Sequence, residues 1–216
     1  SIHYNLSPAD LVEHTLRKGQ GTLTDSGALM CDTGEFTGRS PKDRYIVKDA
    51  LTAQKVDWGN INIPYNEFAF DNLARKMMHF LSERELYIRD VLVGADPAHS
   101  FKLRIVNTLP WQNLFCHNMF IEPTEAQLVD FEPDYLIIAA PEYKASPVMD
   151  QTESENFSIL NLSQKMVLIG GSAYTGAIKK GVFSILNFVL PVERQVLSMH
   201  CSANMDEAGD TAIFFG

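Results

Sequence analysis

Apolar residues recur at helical spacing in two long stretches of the chain. Phe70, Leu73, Met77, Phe80 and Leu81 predict an amphipathic helix over about 66–82. Ile178, Val182, Ile185, Leu186 and Val189 predict a second over about 174–190, stopped by Pro191. A shorter helix is expected from Ser7, where a capping serine is followed by Pro8, Asp10 completes a capping-box-like spacing, and Gly19 closes the element. Pro110 opens another short helix over 111–120.

Alternation and short apolar runs predict strands at 44–48, 86–93, 101–106, 134–139, 157–162 and 166–169. Two brief strands are expected within 22–32, around the turn Asp25-Ser26-Gly27, and two more at 196–200 and 211–215, around the turn 205–210. Tyr135-Leu-Ile-Ile-Ala-Ala140 is the richest apolar run, suited to a buried strand and too short to span a bilayer. Strands outnumber helices and intermix with them, so the expected fold is mixed α/β: a mixed β-sheet with packed helices rather than a clean βαβ series.

Composition refines this picture only in places. Apolar residues make up 45% and charged residues 21% of 216, ordinary for a globular protein. The formal net charge is −9, which argues against general nucleic-acid binding. That charge is concentrated: residues 121–155 hold nine acids and one base, Lys144, leaving the remainder near neutral at −1. The stretch also carries Pro123, Pro133, Pro141 and Pro147, and reads as solvated connections around one buried strand. Its acids lack the alternate-position spacing of a calcium loop. Cys31, Cys116 and Cys201 are too scattered for a disulfide framework or a CxxC zinc site, and with no secretory leader in view a cytoplasmic setting is expected.

Four segments carry candidate chemistry. In Gly34-Glu-Phe-Thr-Gly-Arg-Ser-Pro-Lys-Asp-Arg44, glycines shape a tight loop and Arg39, Lys42 and Arg44 supply cations suited to a carboxylate or phosphate; an ordinary basic surface turn is the alternative. Gly170-Gly-Ser-Ala-Tyr-Thr-Gly176 joins a strand to a helix like a phosphate-binding turn, without matching a nucleotide fingerprint. Lys179-Lys180 sits in the first turns of that helix, opposing its macrodipole, and the two side chains point about 100° apart. They read either as an anion trap at the helix N-terminus or as a solvated pair. Ser198-Met-His-Cys-Ser-Ala-Asn204 offers His200 as a metal ligand or as a buried, hydrogen-bonded imidazole.

Together these segments resemble the N-terminal portion of the ATP-dependent phosphoenolpyruvate carboxykinase family. The resemblance rests on Thr37-Gly-Arg-Ser-Pro-Lys-Asp43, on Tyr174-x4-Lys-Lys-Gly181 and on Met199-His-Cys with Asn204, and is extended by Asn107-Thr-Leu-Pro-Trp111 and Phe120-Ile-Glu-Pro123. It implies the reversible conversion of oxaloacetate and ATP to phosphoenolpyruvate, CO2 and ADP, a step of gluconeogenesis, with a protein-held Mn2+ and an Mg2+ that travels with ATP. It implies that Arg39 holds a substrate carboxylate and that Tyr174 sits by the substrate or the departing CO2. Lys180 and His200 would ligate Mn2+ and face the γ-phosphate, and Lys179 would approach phosphate or substrate oxygens.

The resemblance further implies a substrate-binding domain over 1–194 and, over 195–216, the start of a nucleotide-binding domain in which Gly216 is the first glycine of a phosphate loop. The implied partners are these small molecules and the chain's own nucleotide domain, with no nucleic acid and no membrane. Without that domain no turnover is expected. The alternative reading is a non-catalytic module for small dicarboxylates or phospho-acids.

Overall fold

The computed structural model describes residues 1–216. In chain order the elements are β1 (Ile2–Tyr4), α1 (Pro8–Arg17), β2 (Thr22–Leu23), β3 (Leu29–Met30), β4 (Arg44–Val47), β5 (Ile63–Tyr65), α2 (Glu67–Ser82), β6 (Leu86–Val93), β7 (Phe101–Asn107), α3 (Pro110–Met119), α4 (Glu125–Leu128), β8 (Tyr135–Ala140), α5 (Pro147–Asp150), β9 (Phe157–Asn161), β10 (Met166–Gly170), α6 (Gly176–Glu193), β11 (Ser202–Met205) and β12 (Thr211–Phe214). Eight strands form one mixed sheet in the order β1-β6-β7-β8-β10-β9-β4-β5. The pairs β6–β7 and β9–β10 are antiparallel, and the other neighbours run parallel. The expected mixed α/β architecture is the one observed.

Side chains on successive strand residues face opposite sides of a sheet, and β8 shows what its apolar run is for. Ile137 and Ala139 pack into a core with Ile178, Val182, Ile185 and Val189 of α6, whereas Ile138 and Ala140 pack with Phe70, Leu73 and Met77 of α2. The central strand is buried on both faces, so no alternation survives in it. The methionine and aromatic stripe of α2 is therefore core, and Asn66 starts that helix by accepting the Ala69 N–H at 3.0 Å. In α1, Ser7 Oγ accepts the Asp10 N–H at 3.2 Å, and Gly19 turns the chain out of the helix at φ +65°.

The structure corrects three expectations. The strand expected at 196–200 is absent, and the hairpin pairs β11 with β12 instead, in the register Met205↔Thr211. Asp206 Oδ1 accepts the N–H groups of Ala208 and Asp210, both at 2.9 Å, so the turn is built on 206–210 and pairing must start beside it. Residues 195–200 serve another purpose: Gln195 at φ 56° turns the chain at the end of α6, and Ser198 Oγ donates to Asn187 Oδ1 of α6 at 2.6 Å. Secondly, α6 continues through Pro191 to Glu193, because a proline near the last turn removes one N–H while the Arg194 N–H still reaches the Leu190 carbonyl at 3.2 Å.

Thirdly, strands β1 and β5 had no counterpart in the sequence pattern. Both are three residues long and lie at the sheet edges, and β5 carries Pro64, which an edge position tolerates because no ladder hydrogen bond is required on its open side. Within the acidic stretch all the carboxylates are solvent-exposed except half-buried Asp134 and buried Asp150. Asp150 accepts from Lys76 of α2 at 2.6 Å. No helix is long and apolar enough to cross a membrane.

Candidate functional site

The loop before β4 is anchored from beneath. Pro41–Asp43 forms one 3-10 turn that buries Asp43. Its carboxylate accepts the Ser40 hydroxyl within the loop, the Ser154 hydroxyl at 2.9 Å and the Asn156 amide at 3.4 Å. With Asp43 engaged this way, none of the molecule's ion pairs involves Arg39 or Arg44. Both arginines line the same cleft, and half-buried Arg44 has an Nε with no hydrogen-bond partner. Burial, and then the neighbouring charge of Arg39, depress the Arg44 pKa from its ordinary value. Two adjacent guanidiniums held without a carboxylate form a site for an anion.

The opposite wall is the turn between β10 and α6. Gly171 adopts φ +75°, and a Cβ there would lie 2.7 Å from both Asn156 Cα and Glu155 O. Ser172 Oγ accepts the Tyr174 N–H at 3.2 Å, and buried Gln112 donates Nε2 to the Ala173 carbonyl at 2.9 Å, placing Tyr174 on the cleft wall. Gly171→Ala should cost about 2 kcal/mol, from left-handed backbone strain plus the forced contact. A chemical-denaturation midpoint unchanged from the parent would overturn that expectation.

Helix geometry then separates the two lysines. Ala177, Lys180, Gly181 and Ser184 line the cleft from one face of α6, while Lys179, about 100° further round, is exposed and lies outside the lining. Gly181 permits close approach to the sheet, since a Cβ there would sit 3.3 Å from Val167 Cγ1. Lys180 Nζ lies 3.3 Å from His200 Nε2 and 4.9 Å from the centre of the Phe183 ring, and the Phe183 and His200 rings are 5.2 Å apart. Burial, followed by the charges of Arg39, Lys179 and Arg44, lowers the Lys180 pKa. A depressed lysine gives up its proton more readily, and only the neutral amine can ligate a metal. A separation of 3.3 Å suits two cis nitrogens on one ion at metal–nitrogen lengths of about 2.1 Å, so the pair fits a divalent cation.

The structure thus gathers Arg39, Tyr174 and Lys180 around one cleft, and His200 lines its continuation together with Arg39, Arg44 and Lys180. Gly216, at the end of the exposed β11–β12 hairpin, is not part of it. The same geometry adds Asp43, Arg44, Asn156 and Ser184. Arg44 was visible as one of three loop cations. Asn156 had no local signal, because its bond to Asp43 joins residues 113 apart in the chain.

The family model for phosphoenolpyruvate carboxykinase matches residues 1–216. The chain belongs to the phosphoenolpyruvate carboxykinase family. It is 53% identical over 216 residues to phosphoenolpyruvate carboxykinase (ATP) of Christiangramia forsetii, covering all of this chain and 41% of that protein. For the protein of the same name from Flavobacterium johnsoniae the identity is 49% over 216 residues, covering 40% of it. A third, from Amoebophilus asiaticus, is 45% identical over 214 residues, which cover 41% of it. The chain therefore spans about two fifths of the length of these phosphoenolpyruvate carboxykinases.

Proposed function

We propose that this chain is the substrate side of an ATP-dependent phosphoenolpyruvate carboxykinase, acting together with a nucleotide-binding domain on oxaloacetate and ATP to yield phosphoenolpyruvate, CO2 and ADP. The observation that carries the reading is the convergence of Arg39, Arg44 and Lys180 on one cleft with no acidic partner, beside His200. A dicarboxylate and a triphosphate both require such a surplus of positive charge.

Arg39 and Arg44 hold the substrate carboxylate in a planar fork, and Tyr174 borders the position that CO2 leaves. Lys180 and His200 hold Mn2+, which when bound supplies Lewis-acid stabilisation of negative charge on substrate oxygens; Mg2+ arrives with ATP. Burial and then the neighbouring cations lower the Lys180 pKa, a shift in the direction of the neutral amine that a metal requires. Lys179 approaches phosphate oxygens from the outer side of the helix turn. In this reading residues 1–194 bind substrate, 195–216 begin the nucleotide domain with Gly216 opening its phosphate loop, and the enzyme serves gluconeogenesis in the cytoplasm.

The test is Mn2+-stimulated, ATP-dependent release of CO2 from oxaloacetate by a full-length protein carrying this sequence, with the 216-residue chain run in parallel. Turnover is expected only in the full-length protein. A well-folded full-length protein that binds oxaloacetate but never releases CO2 would instead be the non-catalytic module and would overturn the proposal.

A further inference from the structure

At the sheet edge far from the β4 side of the cleft, where β1 pairs with β6, a second constellation has no part in the chemistry above. His3 of β1, His14 of α1 and Glu85, one residue before β6, each bring a ligand atom within 4.8 Å of the other two, and all three side chains are half-buried. His3 Nε2 lies 2.7 Å from Glu85 Oε1. The imidazole rings of His3 and His14 meet edge to face at 4.8 Å, and His3 stacks on Tyr87 at 5.0 Å.

From this geometry we infer a transition-metal site of the Zn2+ class, with His3, His14 and Glu85 as ligands. Two imidazoles and one carboxylate are a donor set that such ions favour over Ca2+ or Mg2+, which prefer oxygen alone. At bond lengths of about 2.1 Å tetrahedral ligand atoms stand about 3.4 Å apart, so His3 and Glu85, 2.7 Å apart across their hydrogen bond, open by about 0.7 Å as the ion takes the place of the proton between them. His14 completes the set by a shift on the order of 1 Å, and a fourth position is left to water.

Surrounding contacts orient the ligands. Lys18 pairs with Glu85 Oε2, leaving Oε1 toward His3. The Tyr87 hydroxyl lies 3.0 Å from His14 Nδ1 and fixes that ring. Since β1, α1 and β6 each contribute a residue or its immediate neighbour, the ion ties the short edge strand β1 and helix α1 to the main sheet. Bound to the folded state alone, it stabilises that state by mass action.

The experiment titrates Zn2+ into metal-stripped full-length protein carrying His200→Gln, so that the cleft pair is disabled. One ion is expected, with a Kd below about 10 µM, together with a rise in Tm and displacement of the His3 and His14 ring signals in the NMR spectrum. Adding Glu85→Gln or His14→Gln should weaken binding at least tenfold. Failure to bind, binding that leaves both ring signals in place, or an affinity that neither added substitution changes would each overturn the site. The ring-signal readout needs no substitution among the three ligands, so misfolding of a variant cannot hide the answer.

Discussion

Lys180→Met in the full-length protein should lower kcat/KM for oxaloacetate by about 10³-fold or more, equivalent to about 4 kcal/mol of lost transition-state stabilisation. The substitution keeps a flexible apolar stem beside Phe183 and Gly181, so folding should survive, while the nitrogen 3.3 Å from His200 disappears. Lys179→Met should cost less than about tenfold, because that side chain is exposed and outside the cleft lining. Lys180→Arg should fail to rescue activity, since a guanidinium keeps its charge and offers no lone pair to a metal. The measurements are steady-state rates at saturating Mn2+ and ATP, with Mn2+ affinity followed in parallel. If Lys179→Met proved as damaging as Lys180→Met, the division of labour drawn from the helix geometry would be wrong.

That division also shows where sequence reasoning stops. The helical period states that adjacent lysines diverge by about 100°, but which of them faces the sheet depends on how α6 is seated. Its seating follows from Ile178, Val182, Ile185 and Val189, which bury against β8 and β10, and with that face buried the flank carrying Ala177, Lys180 and Ser184 is turned to the cleft of Arg39. Helices α2 and α6 and strand β8 were legible because burial writes a strong period or an unbroken apolar run into the sequence. The edge strands β1 and β5 were not, because three residues apiece, with exposed Pro64 at the centre of β5, carry too little pattern. The alternation at 196–200 suggested a strand, yet the turn at 206–210 sets the pairing and moves it to Ser202–Met205. At the site, loop cations and glycines were readable locally. The support beneath them was not, because it comes from β9's approach far along the chain.

Asp43 is the member of that support whose removal should be felt most. It is 7% exposed and accepts from Ser40, Ser154 and Asn156, so Asp43→Ala leaves the buried Asn156 amide without its acceptor and the Ser154 hydroxyl with only the Asn156 carbonyl at 3.3 Å. The expected loss of stability is about 3 kcal/mol, read from the denaturation midpoint. The functional loss has a separate cause. Freed from the β9 side, the loop no longer holds Arg39 beside Arg44, and a displacement near 1 Å is enough for about 10²-fold in kcat/KM. Asp43→Asn preserves the shape and can keep its oxygen toward Ser40 and Asn156 but then turns its amide toward the Ser154 hydroxyl, so it should fall between parent and alanine on both measures. The informative readout is the split between substrate affinity and kcat at a temperature where every variant is folded. A merely structural aspartate would lower the midpoint and leave the split untouched. The same outcome would mean that the pairing of Arg44 with Ser158, which continues the strand ladder into the loop, suffices by itself to place the arginines.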